Sequence, residues 1–344
     1  MTRTLLNTLF VGTEGAYARL ENDTVRVELE GNKLVEVPLH HLGSLVLFGN
    51  ASASTPLLMR CAEDGRGVTL LDRHGRFRAR IVGKTSGNCL LRQAQYEAHR
   101  DPGATLEVAR RIVAGKLQNV RQTLLRGARE AASHEAAARL AAAANAQAIE
   151  LANLSHCQSV DEARGHEGLA AAAYFNAFDD LIRVQRTDFR FDERSRRPPR
   201  DRTNALLSFV YSLATNDCVT ALEGVGLDPQ FGFLHALRPG RPALALDLVE
   251  EFRSLVLDRL VLTLINRKQI VAPDFDPRDG GSVMLTDEGR KKLLTEYQNR
   301  KKIEVRHPLL KEKVPLGLLP HLQARLLARH LRGDLPHYLP WGPV

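Results

Sequence analysis

The residues with most to offer chemically lie between 231 and 258: His235, then Asp247, Glu250 and Glu251, with Arg238, Arg241 and Arg253 among them. In "LALDLVEEFRSLVLD", Leu248, Val249, Phe252, Leu255 and Val256 recur at helical spacing and form one apolar stripe. Counted from Asp247, the residues Glu250, Glu251, Ser254 and Asp258 fall at spacings of 3, 4, 7 and 11, on the other face. Two accounts fit that face. In one it is a solvated helix start, whose carboxylates each gain a few tenths to about 1 kcal/mol from the helix dipole. In the other, His235 folds back from its Gly/Pro-punctuated loop and joins the carboxylates around a hard divalent cation, Mn²⁺ or Mg²⁺, with waters completing the shell. The arginines either pair with these acids or hold phosphates, and acids beside arginines are what a metal-assisted phosphodiester site needs. In "ARGHEGLAAAAYFNAF", Glu167 at the start of an apolar helix is either a first-turn acid or a further ligand, and His166 is an alternative to it.

The elements that must position these groups fall into two textures. Residues 1–86 alternate: "TVRVELEGNKLVEVPL" puts Val25, Val27 and Leu29 on one face and breaks at Gly31-Asn32. A second unit, "GVTLLDRHGRFRARIVG", turns at Asp72 to Gly75 and aligns Arg76, Arg78 and Arg80 on one strand face, either solvated or facing a polyanion. Residues 90–344 carry helical spacing, as in "LEVARRIVAGKLQNVRQTLLRGARE" and the Ala-rich run after it. The expectation is an α+β chain: a small N-terminal β-sandwich-like domain at 1–86, then a larger all-α domain at 90–344 that holds the site. Within it, "RTDFRFDERSRRPPRDR" at 186–202 predicts an exposed basic loop, and Thr203 or Asn204 a helix cap after it. The proline-rich end predicts a mobile tail after 335.

The 344 residues, 44% hydrophobic and 26% charged, exclude wholesale disorder. A net charge of +8 is compatible with a polyanionic partner. Cys61, Cys89, Cys157 and Cys218 are scattered with no C-x-x-C pair and read as reduced thiols. No stretch reaches the roughly 18 apolar residues of a membrane span, and the N-terminus lacks a signal h-region, which together predict a cytoplasmic protein.

G-H-E-G at 165–168, "FGFLHALRPGR" at 231–241 and "LALDLVEEFR" at 244–253 resemble the CRISPR-associated integrase family, the metal-dependent DNA endonuclease subunit of spacer acquisition. "AEDGRGVTLLDRHGRF", "RQAQY" and "KLQNVRQTLLR" look like its intervening segments, so the resemblance covers nearly the whole chain. It implies Glu167, His235 and Glu250 as ligands of Mn²⁺ or Mg²⁺, and Asp247 as an acid supporting them. Some members have Asp where Glu250 stands. Arg238 and Arg253 fall where the family places basic residues near DNA, and Arg241 lies beside them. By the same resemblance the 3′-OH of a short duplex attacks the repeat boundary of a CRISPR array. The implied partners are double-stranded DNA (prespacer, repeat and leader), a second copy of the chain through the β domain, and a small ferredoxin-like CRISPR-associated protein. The "DLVEEFR" form and the length point to a type I system. Against this stand a standalone metal-dependent nuclease of branched or single-stranded DNA, and a non-catalytic basic helical DNA-binding protein.

Overall fold

A computed structural model describes residues 7–84, 89–196 and 198–342. Its N-terminal strands are β1 (Asn7–Val11), β2 (Tyr17–Glu21), β3 (Thr24–Leu29), β4 (Asn32–Pro38), β5 (Leu42–Phe48), β6 (Ser52–Ala53), β7 (Gly67–Leu71) and β8 (Phe77–Ile81). Helix α1 (Thr55–Glu63) lies between β6 and β7. One sheet is the antiparallel meander β4-β3-β2 with β6 added in parallel, and the other runs β1-β5-β7-β8. The meander follows from the alternation, since Val25 and Val27 are buried on its inner face. Its turn is at Glu30-Gly31, both left-handed (φ 50° and 81°), one residue earlier than the sequence suggests.

The two hairpins read from the sequence are present as β3-β4 and β7-β8, and the parallel pairing of β1, β5 and β7 comes in addition to them. The cause is visible in β5, whose "LVLF" is a continuous apolar run rather than an alternating one. Leu45 and Leu47 join Val11, Val25, Leu57 and Val68 in the core between the sheets, while Val46 and Phe48 belong to the core of the helical region. A strand covered on both faces needs no polar alternation.

The helices are α2 (Cys89–Arg100), α3 (Pro102–Arg129), α4 (His134–Leu154), α5 (Val160–Asn176), α6 (Arg202–Val225), α7 (Ala243–Glu250), α8 (Arg259–Asn266), α9 (Asp287–Lys301) and α10 (Leu319–Leu331). Ser133, Ser159 and Asp201 cap α4, α5 and α6 by accepting the amide three residues on. Thr203 and Asn204 thus lie inside α6 rather than capping it. By length and composition α6 would pass for a membrane span, but Leu206, Val210 and Leu222 on it are core residues. On β8, Arg78 pairs with Asp72 at 3.2 Å and Arg80 with Glu223 of α6, so two of the three aligned arginines are already partnered.

Three expectations for the larger region are corrected. It is not all-α, because two short hairpins interrupt it: β9 (Phe275–Pro277) with β10 (Val283–Leu285), and β11 (Glu304–Arg306) with β12 (Lys313–Pro315). The segment before α6 is irregular but not merely exposed. Its aromatic residues alternate with charged ones, and Phe189 and Phe191 are buried, Phe191 stacking on Phe175 with ring centroids 6.0 Å apart. The tail through residue 342 is pinned rather than loose, since Tyr338 and Trp341 are buried in the helical core.

That C-terminal region contains a buried imidazole. His307 Nδ1 accepts the Leu310 amide at 3.3 Å, so Nε2 carries the hydrogen and donates to Gln323 Oε1 on α10 at 3.1 Å. Burial holds its pKa below the ordinary 6.5, with the Gln323 bond opposing. The unfolded chain therefore binds a proton near that pH which the native state refuses. This contribution to stability is full above the unfolded value and declines as the pH falls through it. Urea unfolding between about pH 8 and pH 5.5 should show stability falling toward acid, and His307→Gln should flatten part of that slope. An unchanged slope would show that His307 titrates alike in both states.

Candidate metal centre

The loop from 227 to 241 is anchored by α2. The buried Gln95 side chain donates to the carbonyls of Asp228 and Phe231, both at 2.8 Å, and accepts the Asp228 amide at 2.8 Å. His99 Nδ1 bonds the Gly232 carbonyl at 2.8 Å. Gly232 is where the loop crosses the start of α7. A Cβ there would lie 2.6 Å from Asp247 Oδ2 and 2.7 Å from the Ala243 carbonyl carbon, so only glycine passes.

That close approach delivers three consecutive amides to one carboxylate. Asp247, 0% exposed, accepts from the backbone of Phe233 at 2.6 Å, Leu234 at 3.0 Å and His235 at 2.9 Å. Its Oδ1 also takes His235 Nδ1 at 2.6 Å. A histidine whose Nδ1 is tied to a carboxylate is fixed in ring orientation with Nε2 available as a donor to a metal. Nε2 stands 3.9 Å from Glu250 Oε1.

Glu250 is 6% exposed and held by two cations. Arg253 Nη1 lies 2.7 and 2.9 Å from its two oxygens, and Lys116 Nζ of α3 lies 2.6 Å from Oε2. Lys116 Nζ also contacts Glu167 Oε1, bringing α5 to the same point. Burial alone would raise the Glu250 carboxyl, but the charges of Arg253, Lys116 and His235 more than reverse that and hold it well below the usual carboxylate range.

Beyond Glu250 the chain widens into a π-helical stretch, Arg253–Asp258, before α8. Such stretches recur at functional sites. Here it aims Arg253 across the ring of Tyr211, 4.5 Å from its centroid. The hydroxyls of Tyr211 and Tyr174 both donate to Asp258, at 2.5 and 2.8 Å. Glu251 points the other way, into a cluster with Tyr338, the Trp341 amide at 2.7 Å and Gln323 at 2.9 Å. Burial pushes its carboxyl up to about 7 against those hydrogen bonds.

The acidic face of 247–258 is therefore no solvated helix start: Asp247, Glu250, Glu251, Ser254 and Asp258 are all buried. Nor do these acids occupy the first turn, because α7 begins at Ala243 and has no acid there. Glu167 is likewise in the middle of α5, whose first-turn acids are Asp161 and Glu162. His166, the alternative ligand, bonds Glu150 of α4 at 2.6 Å and is not part of this cluster. Arg253 is largely buried, its guanidinium enclosed between Glu250 and Tyr211. Arg238 is exposed and Arg241 half-buried on the loop carrying His235. Burial foremost, and then Arg238, Arg164 and Arg196, lower the Arg241 pKa, which marks a concentration of positive charge beside the site.

Among the described residues, no group of three or more His, Cys, Asp and Glu side chains stands ready to hold a metal as they lie. What stands between the carboxylates is the Lys116 ammonium, a cation in contact with both Glu167 and Glu250. The two glutamate oxygens that hold this positive charge, with an imidazole oriented by Asp247, form a donor set that fits a hard divalent ion. Lys116 escaped the sequence reading. Its signal was a lysine at helical spacing within the buried stripe Ile112, Val113, Leu117 and Val120. Gln95, Tyr174 and Tyr211 carried no comparable mark.

Residues 9–299 match the family described as CRISPR associated protein Cas1. The chain is 54% identical to the CRISPR-associated endonuclease Cas1 1 of Moorella thermoacetica, over 98% of each chain. It is 50% identical to the CRISPR-associated endonuclease Cas1 2 of Rhodospirillum rubrum, again over 98% of each. Among solved structures, a CAS1 protein from Thermotoga maritima superposes with a TM-score of 0.80 at 25% identity, over 95% of this chain and 97% of that one. A casposase bound to integration product shares the fold, with a TM-score of 0.83 at 22% identity over 97% and 93%.

Proposed function

The chain belongs to the Cas1 family of CRISPR-associated endonucleases, and from that premise we infer that it is an integrase that joins short foreign DNA duplexes to a CRISPR array as new spacers. The observation carrying this reading is the convergence of Glu167, His235 and Glu250 from three separate segments on one buried, charge-dense point.

We propose that these three residues hold a divalent cation, Mn²⁺ or Mg²⁺, which when bound polarises the scissile phosphate and eases departure of the leaving oxygen. Asp247 holds the His235 imidazole by Nδ1 and fixes the loop through three amides. Arg253 holds Glu250 from below with both its oxygens engaged, and Tyr211 with Asp258 holds Arg253. Such support keeps ligands from reorienting as substrate arrives. Arg238 and Arg241 on the His235 loop bind DNA phosphates near the point of attack. The attacking group is the donor's 3′-OH, and the 3′ oxygen of the flanking nucleotide on the 5′ side of the scissile phosphate leaves, so one phosphodiester replaces another without a covalent enzyme intermediate.

The residues 1–86 serve in this proposal as a dimerisation unit, with Tyr17 and Leu34 exposed on its meander. Residues 90–344 form the catalytic unit, and a small ferredoxin-like protein joins two such dimers. The setting is the cytoplasm.

Incubating a 3′-OH duplex with supercoiled plasmid and Mn²⁺ should give joined product that disappears on chelation or when the donor lacks its 3′-OH. Cleavage indifferent to the 3′-OH would make the protein a nuclease. Salt-sensitive DNA binding without any chemistry would overturn the catalytic reading altogether.

A further inference from the structure

Lys116 is a buried cation with an unusual set of neighbours. It is 6% exposed on α3, between the buried Gly115 and Leu117, and its ammonium touches two carboxylates assigned above to the metal. The backbone beneath it has no room to shift: a Cβ on Gly115 would lie 2.6 Å from Pro340 Cβ of the tail. An interior lysine is costly unless paired, and among the described residues the acids it pairs with are Glu167 and Glu250.

Formal charges make the consequence plain. Glu167 and Glu250 carry two negative charges, and Lys116 and Arg253 carry two positive ones. Arg253 Nη1 donates to both Glu250 oxygens and its guanidinium lies over the Tyr211 ring, so it cannot leave easily. Lys116 has a flexible four-carbon stem and no ring to hold it. A divalent ion entering between the glutamates would face the ammonium at contact distance, so one of the two must go.

We propose that Lys116 is the resident counter-ion of the metal-free site, and that a divalent cation binds by displacing its ammonium from Glu167 and Glu250. This rests on the metal-centre reading above and adds to it a residue that competes with the metal instead of holding it. Lys116 is thus a positioning residue: it keeps the two carboxylates charged, oriented and close together until the cation arrives. It also sets a threshold for loading, because apparent affinity is multiplied by the fraction of molecules whose lysine is already out.

The test is Mn²⁺ binding by titration calorimetry, with thermal melting in the presence and absence of Mn²⁺, on the wild type, Lys116→Met and Glu250→Gln. If the lysine-in state outnumbers the lysine-out state by about ten to one, Lys116→Met binds Mn²⁺ about tenfold more tightly. It also melts lower than the wild type without metal and gains more from adding it. A lysine that merely braced the fold would lower the melting temperature without tightening metal binding. Should Lys116→Met fail to fold, Lys116→Gln keeps a hydrogen-bond donor without the charge and carries the same expectation. Unchanged or weaker Mn²⁺ binding in a folded variant, with normal binding in the wild type and loss in Glu250→Gln, would overturn the displacement while leaving the metal centre standing. Absence of Mn²⁺ binding in the wild type and in both lysine variants would overturn both.

Discussion

His235→Ala should abolish strand transfer while leaving a folded protein that still binds DNA. The histidine side chain is 23% exposed and makes one side-chain hydrogen bond, to Asp247. Asp247 keeps its three amide partners when the ring is removed, one of them from the backbone of residue 235 itself. The stability cost is that of one hydrogen bond and a little packing, about 1 kcal/mol. The catalytic cost is of another order. Losing a residue that merely orients a metal ligand typically costs 10- to 100-fold, so losing the ligand itself should exceed about 100-fold. Urea unfolding, salt-dependent DNA binding and strand transfer should be measured on the same preparation. Transfer within about tenfold of wild type would remove His235 from the metal shell, and loss of folding would make it structural.

Asp247→Ala should fail the opposite way, by losing the fold around the site. Deleting this carboxylate leaves the amides of Phe233, Leu234 and His235 buried without acceptors. Each such orphan costs about 1–3 kcal/mol, so a loss of about 4 kcal/mol or more is expected. Native proteins have only about 5–15 kcal/mol to lose. Asp247→Asn keeps the shape but turns an –NH₂ toward a donor, whichever way the amide is placed. It should fall between the alanine variant and the wild type. Urea midpoints at constant m-value rank the three, and an Asp247→Ala protein within about 1 kcal/mol of wild type would mean the loop finds other acceptors.

The spacing of Asp247 and Glu250 and the identity of His235 were legible as a possible site because the two acids lie on one helix and the histidine lies close before them in sequence. The resemblance in "GHEG" and "FGFLH" placed Glu167 and the loop with them. What could not be read was burial. Whether a helix's acidic face meets water or protein depends on what packs there, and the partners come from far along the chain: Lys116 from α3, Gln323 from α10, Tyr338 and Trp341 from the tail. Helical periodicity located α3, α4 and α6 because each presents an apolar stripe to a neighbour. It could not foresee the parallel strands, since "LVLF" in β5 satisfies a strand or a helix equally until both of its faces are known to be covered. The tail misled for a related reason: proline excludes helix but does not exclude packing, and Pro340 fits against Gly115.

β5 serves two masters. Leu45 and Leu47 belong to one core while Val46 and Phe48 belong to the other, and Phe48 stacks on Phe209 of α6 at 6.1 Å. Arg290 of α9 clasps the same region, donating to the carbonyls of Gly12 and Arg73 at 2.9 and 2.8 Å. The two parts of the chain are thus welded rather than hinged. Cutting before residue 90 would strip a wall from the helical part and leave Phe209 and Arg290 facing water, and heat or denaturant meets a single cooperative body. Opening of the candidate site by these two parts swinging apart is therefore not expected.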